Sequence, residues 1–251
     1  MNLAGVRQDS PETTEIVLEE WSARIGTAFH LLSASSDDFD IQLSLKPVKG
    51  PVLHGNKGYS LKGSTPDKAS CYYSLTRMEA SGSLVIAGRK SPVSGTAWMD
   101  HEFSSAPLET VYVGWDWFSL QLSDKTELMV YLLRRKDGSF GPASSGTHVD
   151  PLGVARHLGQ DDFTVEILNT WRSPRSGATY PAGWRLRVRP LHMDLTIRPN
   201  LPDQELQTEG STRITYWEGS VSAQGTLGRQ PVQAVGYVEL TGYAHPLEAL
   251  H

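Results

Sequence analysis

Asp100, His101 and Glu102 follow one another in the middle of the chain and have side chains of the types that transfer protons. An imidazole beside two carboxyls can orient one of them or relay a proton to it. A carboxyl placed among tryptophans such as Trp98 is desolvated, which raises its pKa and suits a general acid. In the alternative, structural interpretation the acids accept backbone N–H groups at a sharp corner between domains. A metal site is not expected, because no second histidine-rich stretch is available to complete one.

The segment GWDWFSLQL next to this run predicts a strand with two different faces. Trp115 and Trp117 share one face with Ser119 and Gln121, whereas the other carries Phe, Leu and Leu and should be core. Indoles mixed with a few polar groups are typical of the wall of a ligand cavity. A plain aromatic core is the alternative interpretation.

Asp116 falls among the apolar residues of the core-facing side of this strand, so it should be either a buried acid or an edge residue. A buried carboxylate must be paired, and Arg77 or Arg134 is the expected partner.

Other polar and aromatic residues complete the predicted ligand-binding set. Its members are Tyr73, Arg77, Trp98, Trp115, Trp117, Tyr131, Trp217 and Glu218. Strand packing is the alternative for Tyr73 and Arg77, and a structural role is the alternative for Glu218.

Composition excludes several classes of function. The chain has 251 residues, 39% of them hydrophobic, and a net charge of -5, which argues against a nucleic-acid partner. The single Cys71 allows neither an internal disulfide nor a thiolate metal cluster. No run approaches the length of a membrane span. No cofactor is expected, since glycine-rich phosphate loops are absent.

Short segments with alternating polar and apolar residues fill most of the chain. In FDIQLSLKP, Phe39, Ile41 and Leu43 point one way and the polar residues the other, as in a half-buried antiparallel strand. Apolar residues nowhere keep a helical period for long, so the pattern predicts an all-β sandwich or barrel with little helix. Residues 1–15 are polar and should form a loose lead-in. The loop near 103–112 should separate domains at 16–105 and 106–251.

Motifs along most of the chain resemble those of the AttH-like and carotenoid 1,2-hydratase (hydroxyneurosporene synthase) family. They are GYSLKG, SCYYSLTR, VSGTAWMDHEFSS, GWDWFSLQL, ELMVYLLR, SGTHVD, WRSPRSGATYP, DQEL, YWEGSV and GYVELTGYA. The resemblance implies two lipocalin-like antiparallel β-barrel domains side by side. Because members carry a further N-terminal segment, the first barrel is expected to be incomplete, with an open edge. Relatives are often exported to the periplasm or cell envelope, and the resemblance leaves the compartment open.

The resemblance also implies chemistry on long hydrophobic molecules. Members hydrate C=C bonds of carotenoids or cyclise polyenes, and others are named for their place beside an ABC transport operon. Hydratase members are thought to use an acid on the strand after the Trp-rich one. The matching segment, ELMVYLLRR, offers Tyr131 and Arg134 there, with Glu127 only at its start.

Three functions are therefore predicted. The first is binding of an extended hydrophobic small molecule, such as a lipid, isoprenoid or polyene, in a cavity near the domain junction. The second is a hydratase or cyclase in which Asp100 or Glu102 protonates a C=C bond, while Trp115 and Trp117 stabilise the cation. The third is an accessory protein that associates with a membrane ABC transporter. The oligomeric state is left open.

Overall fold

The computed structural model describes residues 4–10, 12–105, 107–208 and 214–247. Within them, two three-residue 3-10 helices, Gln160–Asp162 and Arg189–Leu191, interrupt an otherwise all-β chain. All strand pairs with a recorded register are antiparallel, so the predicted all-β class is confirmed. None of the described helices has the length and hydropathy needed to cross a membrane.

Nine strands form the first sheet. They are β1 (Ala4–Ser10), β2 (Thr13–Leu18), β3 (Trp21–Gly26), β4 (His30–Ser35), β5 (Phe39–Pro47), β6 (Val52–Leu53), β7 (Tyr59–Leu61), β8 (Ala69–Ile86) and β9 (Arg89–Phe103). The strand order is β1-β2-β3-β4-β5-β8-β6, and β7 and β9 also pair with β8.

Ten strands form the second sheet. They are β10 (Tyr112–Leu122), β11 (Glu127–Arg135), β12 (Ser145–Val149), β13 (Ala155–Gly159), β14 (Phe163–Arg172), β15 (Thr179–Val188), β16 (Met193–Pro199), β17 (Glu205–Gln207), β18 (Thr215–Leu227) and β19 (Gln230–Leu240). The order is β13-β12-β11-β10-β19-β18-β16-β15-β14, with β17 on β18. Strand β19 therefore joins the two halves of this sheet.

The chain divides into two compact units. The first unit is Met1–Pro51 with Leu75–Asp100, and the second unit is Val52–Ser74 with His101–His251. The predicted domain limits, 16–105 and 106–251, stay predictions, and residue 106 lies outside the described part of the chain.

The second unit has a large apolar core on one face of its sheet. Alternation along β10 and β11 sends Phe118, Leu120 and Val130 inward, where they are completely or almost completely buried. The rings of Phe118 and Trp184 meet edge to face, with centroids 5.6 Å apart. The prediction that the Phe and Leu face of GWDWFSLQL is core is confirmed.

The first unit has a smaller core around Leu45, Leu75 and Met78. One of the two sheets forms a half-barrel. The lead-in expected for residues 1–15 is wrong for its described part, because β1 pairs with β2 as a hairpin. Val6 is 75% exposed. Strands with no buried face need no alternation of polar and apolar residues. The sequence of this hairpin therefore lacks the pattern from which strands are predicted. Residues 1–3 and 11 of that prediction lie outside the described residues.

Candidate functional site

The face of β10 opposite the core carries the two indoles of the predicted site. Trp115 and Trp117 are half-buried. The Trp115 indole donates to a carboxylate oxygen of Glu239 at 3.1 Å, and the Trp117 indole donates to the Tyr72 hydroxyl at 3.1 Å. These side chains therefore stay outside the packed core, as a ligand-binding face requires.

Two glutamates lie beside these indoles because of the strand order. Trp117 is opposite Glu239 on β19, and Glu239 is opposite Glu218 on β18. Trp117, Glu239 and Glu218 thus form one row across three strands. Side chains that are directly opposite in an antiparallel pair are close enough to interact, so the two carboxyls are neighbours.

Two tyrosines flank this row. Tyr216 and Tyr237 are two residues before Glu218 and Glu239, so all four side chains share the face. Burial raises the pKa of Tyr237 to about 12, helped by the charges of Glu218 and Glu239. Burial also raises the pKa of Glu218, while a hydrogen bond with Tyr216 opposes the rise. We call this group, Trp115, Trp117, Tyr216, Glu218, Tyr237 and Glu239, the acid–aromatic face.

A second polar cluster lies in the same unit, on the segment Val52–Ser74. The Lys62 ammonium is 3.7 Å from the centroid of the Tyr131 ring and 5.0 Å from that of the Tyr72 ring. It also forms an ion pair of 3.0 Å with Glu102, which accepts a hydrogen bond from Ser70. Lys62 is therefore held by two aromatic rings and a carboxylate.

Tyr131 and His54 are fixed by hydrogen bonds in this cluster. The Tyr131 hydroxyl donates to the Leu61 carbonyl at 2.8 Å. The ring nitrogens of His54 lie 2.8 Å from the Thr147 hydroxyl and 2.7 Å from the Ser74 hydroxyl. Burial, with the charge of Lys62, lowers the pKa of His54 to about 3, so the imidazole is neutral at physiological pH. His54 is a structural group here.

The run Asp100, His101 and Glu102 lies inside strand β9, so the sharp corner of its structural interpretation is absent. Asp100, in the first unit, accepts a hydrogen bond of 2.8 Å from the Trp98 indole. His101, in the second unit, has its ring 5.1 Å from that of Tyr73. All three residues of the run are exposed. Their catalytic roles stay predictions.

Other predicted ligand-binding residues are placed elsewhere. Trp217 is completely buried in the core of the second unit, where its indole donates to the Pro202 carbonyl at 2.8 Å. Tyr73 and Arg77 are half-buried on β8, and the Arg77 carbonyl accepts the Val48 N–H. Of the predicted set, the structure therefore groups Trp115, Trp117 and Glu218 on one face.

Asp116 is buried and paired with Arg134, one of the two partners predicted for it. The Tyr243 hydroxyl donates to both carboxylate oxygens at 3.0 and 3.1 Å, and the Arg134 guanidinium lies 3.7 Å from the Tyr243 ring centroid. Burial raises the pKa of Asp116 to about 6, and Arg134 and Tyr243 act against that rise.

Sequence reasoning missed Tyr216, Tyr237, Glu239 and Lys62. Alternation in QPVQAVGYVEL places Tyr237 and Glu239 on one face, which was the available signal. Nothing in the sequence shows that this strand lies beside GWDWFSLQL. Lys62 lies in a stretch whose composition predicts a long loop. Among the described residues, no three His, Cys, Asp or Glu side chains are grouped as metal ligands.

The two antiparallel sheets and the packed second core define a lipocalin-like β-protein. The chain belongs to the AttH-like family, whose model matches residues 1–243. The crystal structure of an AttH protein from Nitrosomonas europaea is similar, with 35% identity and a TM-score of 0.84 over 91% of this chain and 70% of that chain. The crystal structure of kievitone hydratase from Nectria haematococca is similar in fold, with 18% identity and a TM-score of 0.72 over 96% of this chain and 83% of that one. No curated protein matches the chain.

Proposed function

We propose that the protein binds an extended hydrophobic small molecule, such as a lipid, isoprenoid or polyene, on the acid–aromatic face. One observation supports this most directly: aromatic side chains remain partly exposed on the face of the sheet that the core does not use. Tyr237 is 40% exposed and the neighbouring Val235 57%. Contiguous apolar surface rimmed by polar groups is typical of a binding site.

Burial of these rings supplies the driving force. An aromatic side chain carries 150–250 Å² of surface, of which at most about a third is open in a half-buried ring. At about 25 cal/mol per Å², covering one such ring contributes on the order of 1–2 kcal/mol. The rings of the face do not offset the entropy of association alone, so the apolar surface that the ligand itself buries supplies the rest of the affinity.

Fluorescence of N-phenyl-1-naphthylamine, displaced by farnesol, tests the proposal. Trp115→Ala should weaken binding of both probes about tenfold, because it removes an indole from the face. Trp21→Ala is the matched control, since Trp21 is 48% exposed and lies in the first unit. Circular dichroism checks that both variants fold. Equal affinity in the two variants and the parent protein contradicts the proposal.

A hydratase or cyclase is the second candidate. Kievitone hydratase has a similar fold, and Glu218 is a half-buried carboxyl on the face that carries the indoles. Glu102 is less suited to this role, because its carboxylate is already engaged by the ion pair with Lys62 and the hydrogen bond from Ser70. Mass spectrometry of the farnesol recovered from the binding experiment separates the candidates. A hydratase adds the mass of one water, and a cyclase leaves the mass unchanged but alters the chromatographic retention time. A binding protein returns unchanged farnesol. Association with an ABC transporter stays a prediction.

A further inference from the structure

We propose that the acid–aromatic face recognises a hydrophobic ligand whose head is an organic cation, an amine or a quaternary ammonium group, with Glu218 and Glu239 on either side of the charge. This inference rests on the proposed binding of a hydrophobic molecule at the same face. It adds the chemical class of the ligand's polar end.

The arrangement of the two carboxyls favours a cation. Glu218 and Glu239 are directly opposite in the β18 and β19 register. Like charges in this position repel each other, and a positive group between them turns the repulsion into two attractions. Burial raises the pKa of Glu218, and a cation beside this carboxyl would act against that rise.

The aromatic side chains surround the acid pair on the same face. Trp117 on β10 is opposite Glu239 on β19, and Trp115 lies two residues before Trp117 on the same strand. Tyr216 and Tyr237 precede the two acids on their own strands. The negative faces of indole and phenol rings attract cations, and cages of such rings are a common way to bind quaternary ammonium groups.

Hydrogen bonding holds one side of this arrangement in place. The Trp115 indole donates to Glu239 at 3.1 Å, which fixes a ring and a carboxylate relative to each other. Because the Trp115 indole N–H donates to Glu239, a ligand would contact the face of the Trp115 ring. The apolar Val235, four residues before Glu239 on the same face, extends the surface along the strand for a hydrocarbon tail.

Ligands that share one tail and differ in the head test the inference. Decyltrimethylammonium, 1-decanol and decanoate are titrated by calorimetry, the two ions below their micellar concentrations and decanol below its solubility limit. The cation should bind about tenfold more tightly than decanol, and decanoate more weakly than either. Glu218→Gln and Glu239→Gln should each bring the affinity for the cation to within about twofold of that for decanol, and leave the affinity for decanol unchanged.

Glu166→Gln is the matched control, because Glu166 is an exposed glutamate of the same unit paired only at the surface with Arg187. It should keep the preference for the cation. Decanol binding as tightly as the cation overturns this inference and leaves the proposed function standing. Failure of all three ligands contradicts the proposed function as well. Should a Gln variant not fold, the ranking of the three ligands on the unchanged protein decides the inference.

Discussion

Arg134 donates to the carboxylate of Asp116 in the interior of the second unit, where only 3% of Asp116 is exposed. Arg134 also donates to the Thr241 carbonyl. The Tyr243 hydroxyl also donates to Asp116, so two partners offset part of the cost of burying this carboxylate. Removal of Arg134 leaves Asp116 buried without a positively charged partner.

Arg134→Met should therefore lower the free energy of unfolding by about 3–5 kcal/mol. The control is Arg185→Met, since the ion pair between Arg185 and Asp194 has side chains that are 43% and 35% exposed. An exposed pair contributes about 1 kcal/mol or less. Urea denaturation followed by circular dichroism measures both losses. Similar losses in the two variants would show that the Asp116 pair is not special.

Two buried groups should give the stability opposite dependences on pH. Asp116 has its pKa raised from 3.8 to about 6, so the folded state binds the proton more tightly and this group's contribution to stability falls as the pH rises from 3.8 to about 6. His54 has its pKa lowered from 6.5 to about 3, so its contribution rises as the pH rises through that interval. Each effect is limited to several kcal/mol.

Urea denaturation at pH 4, 5, 6 and 7 checks both signs, with Asp116→Asn and His54→Gln as references. Between pH 4 and 6, the stability of the parent protein relative to Asp116→Asn should decrease. Relative to His54→Gln, it should increase over the same interval. Parallel curves for either variant would mean that its group does not titrate with a shifted pKa.

Gly225→Ala should destabilise the second sheet by about 3 kcal/mol. A Cβ at this position would lie 1.9 Å from the Asp194 carbonyl oxygen on the paired strand, and neither backbone can move without breaking the ladder. Gly95→Ala is the control, because nothing lies within 4 Å of a Cβ there. Thermal denaturation of the two variants compares them. A Gly225→Ala protein as stable as the Gly95→Ala protein would rule out the close approach.

Alternation along single strands was readable from the sequence. The two faces of GWDWFSLQL follow from a period of two, and the need to pair a buried charge limited the partner of Asp116 to Arg77 or Arg134, of which the structure has Arg134. A β-protein without sustained helical periodicity was likewise predictable. These properties depend on local order in the sequence alone.

The sequence did not reveal which strands pair with each other in the sheets. Glu239 lies beside Trp115 although 124 residues separate them, and no local pattern encodes that pairing. Lys62 and His54 belong to a stretch rich in glycine and proline, whose composition predicts an exposed loop. In the structure, the His54 imidazole is buried and the Lys62 ammonium lies above aromatic rings. The acid–aromatic face therefore appears only once the strands are assembled.

The central position of β19 also governs when this protein can fold during synthesis. Strand β10 leaves the ribosome early, but its hydrogen-bonded neighbour on one side is β19, made more than a hundred residues later. Until β19 arrives, β10 presents an unpaired edge and Asp116 lacks Tyr243. Pairing across such a long stretch of chain is slow, and the exposed edge favours association with other chains. We therefore expect the nascent chain to depend on a chaperone until translation has passed Tyr243.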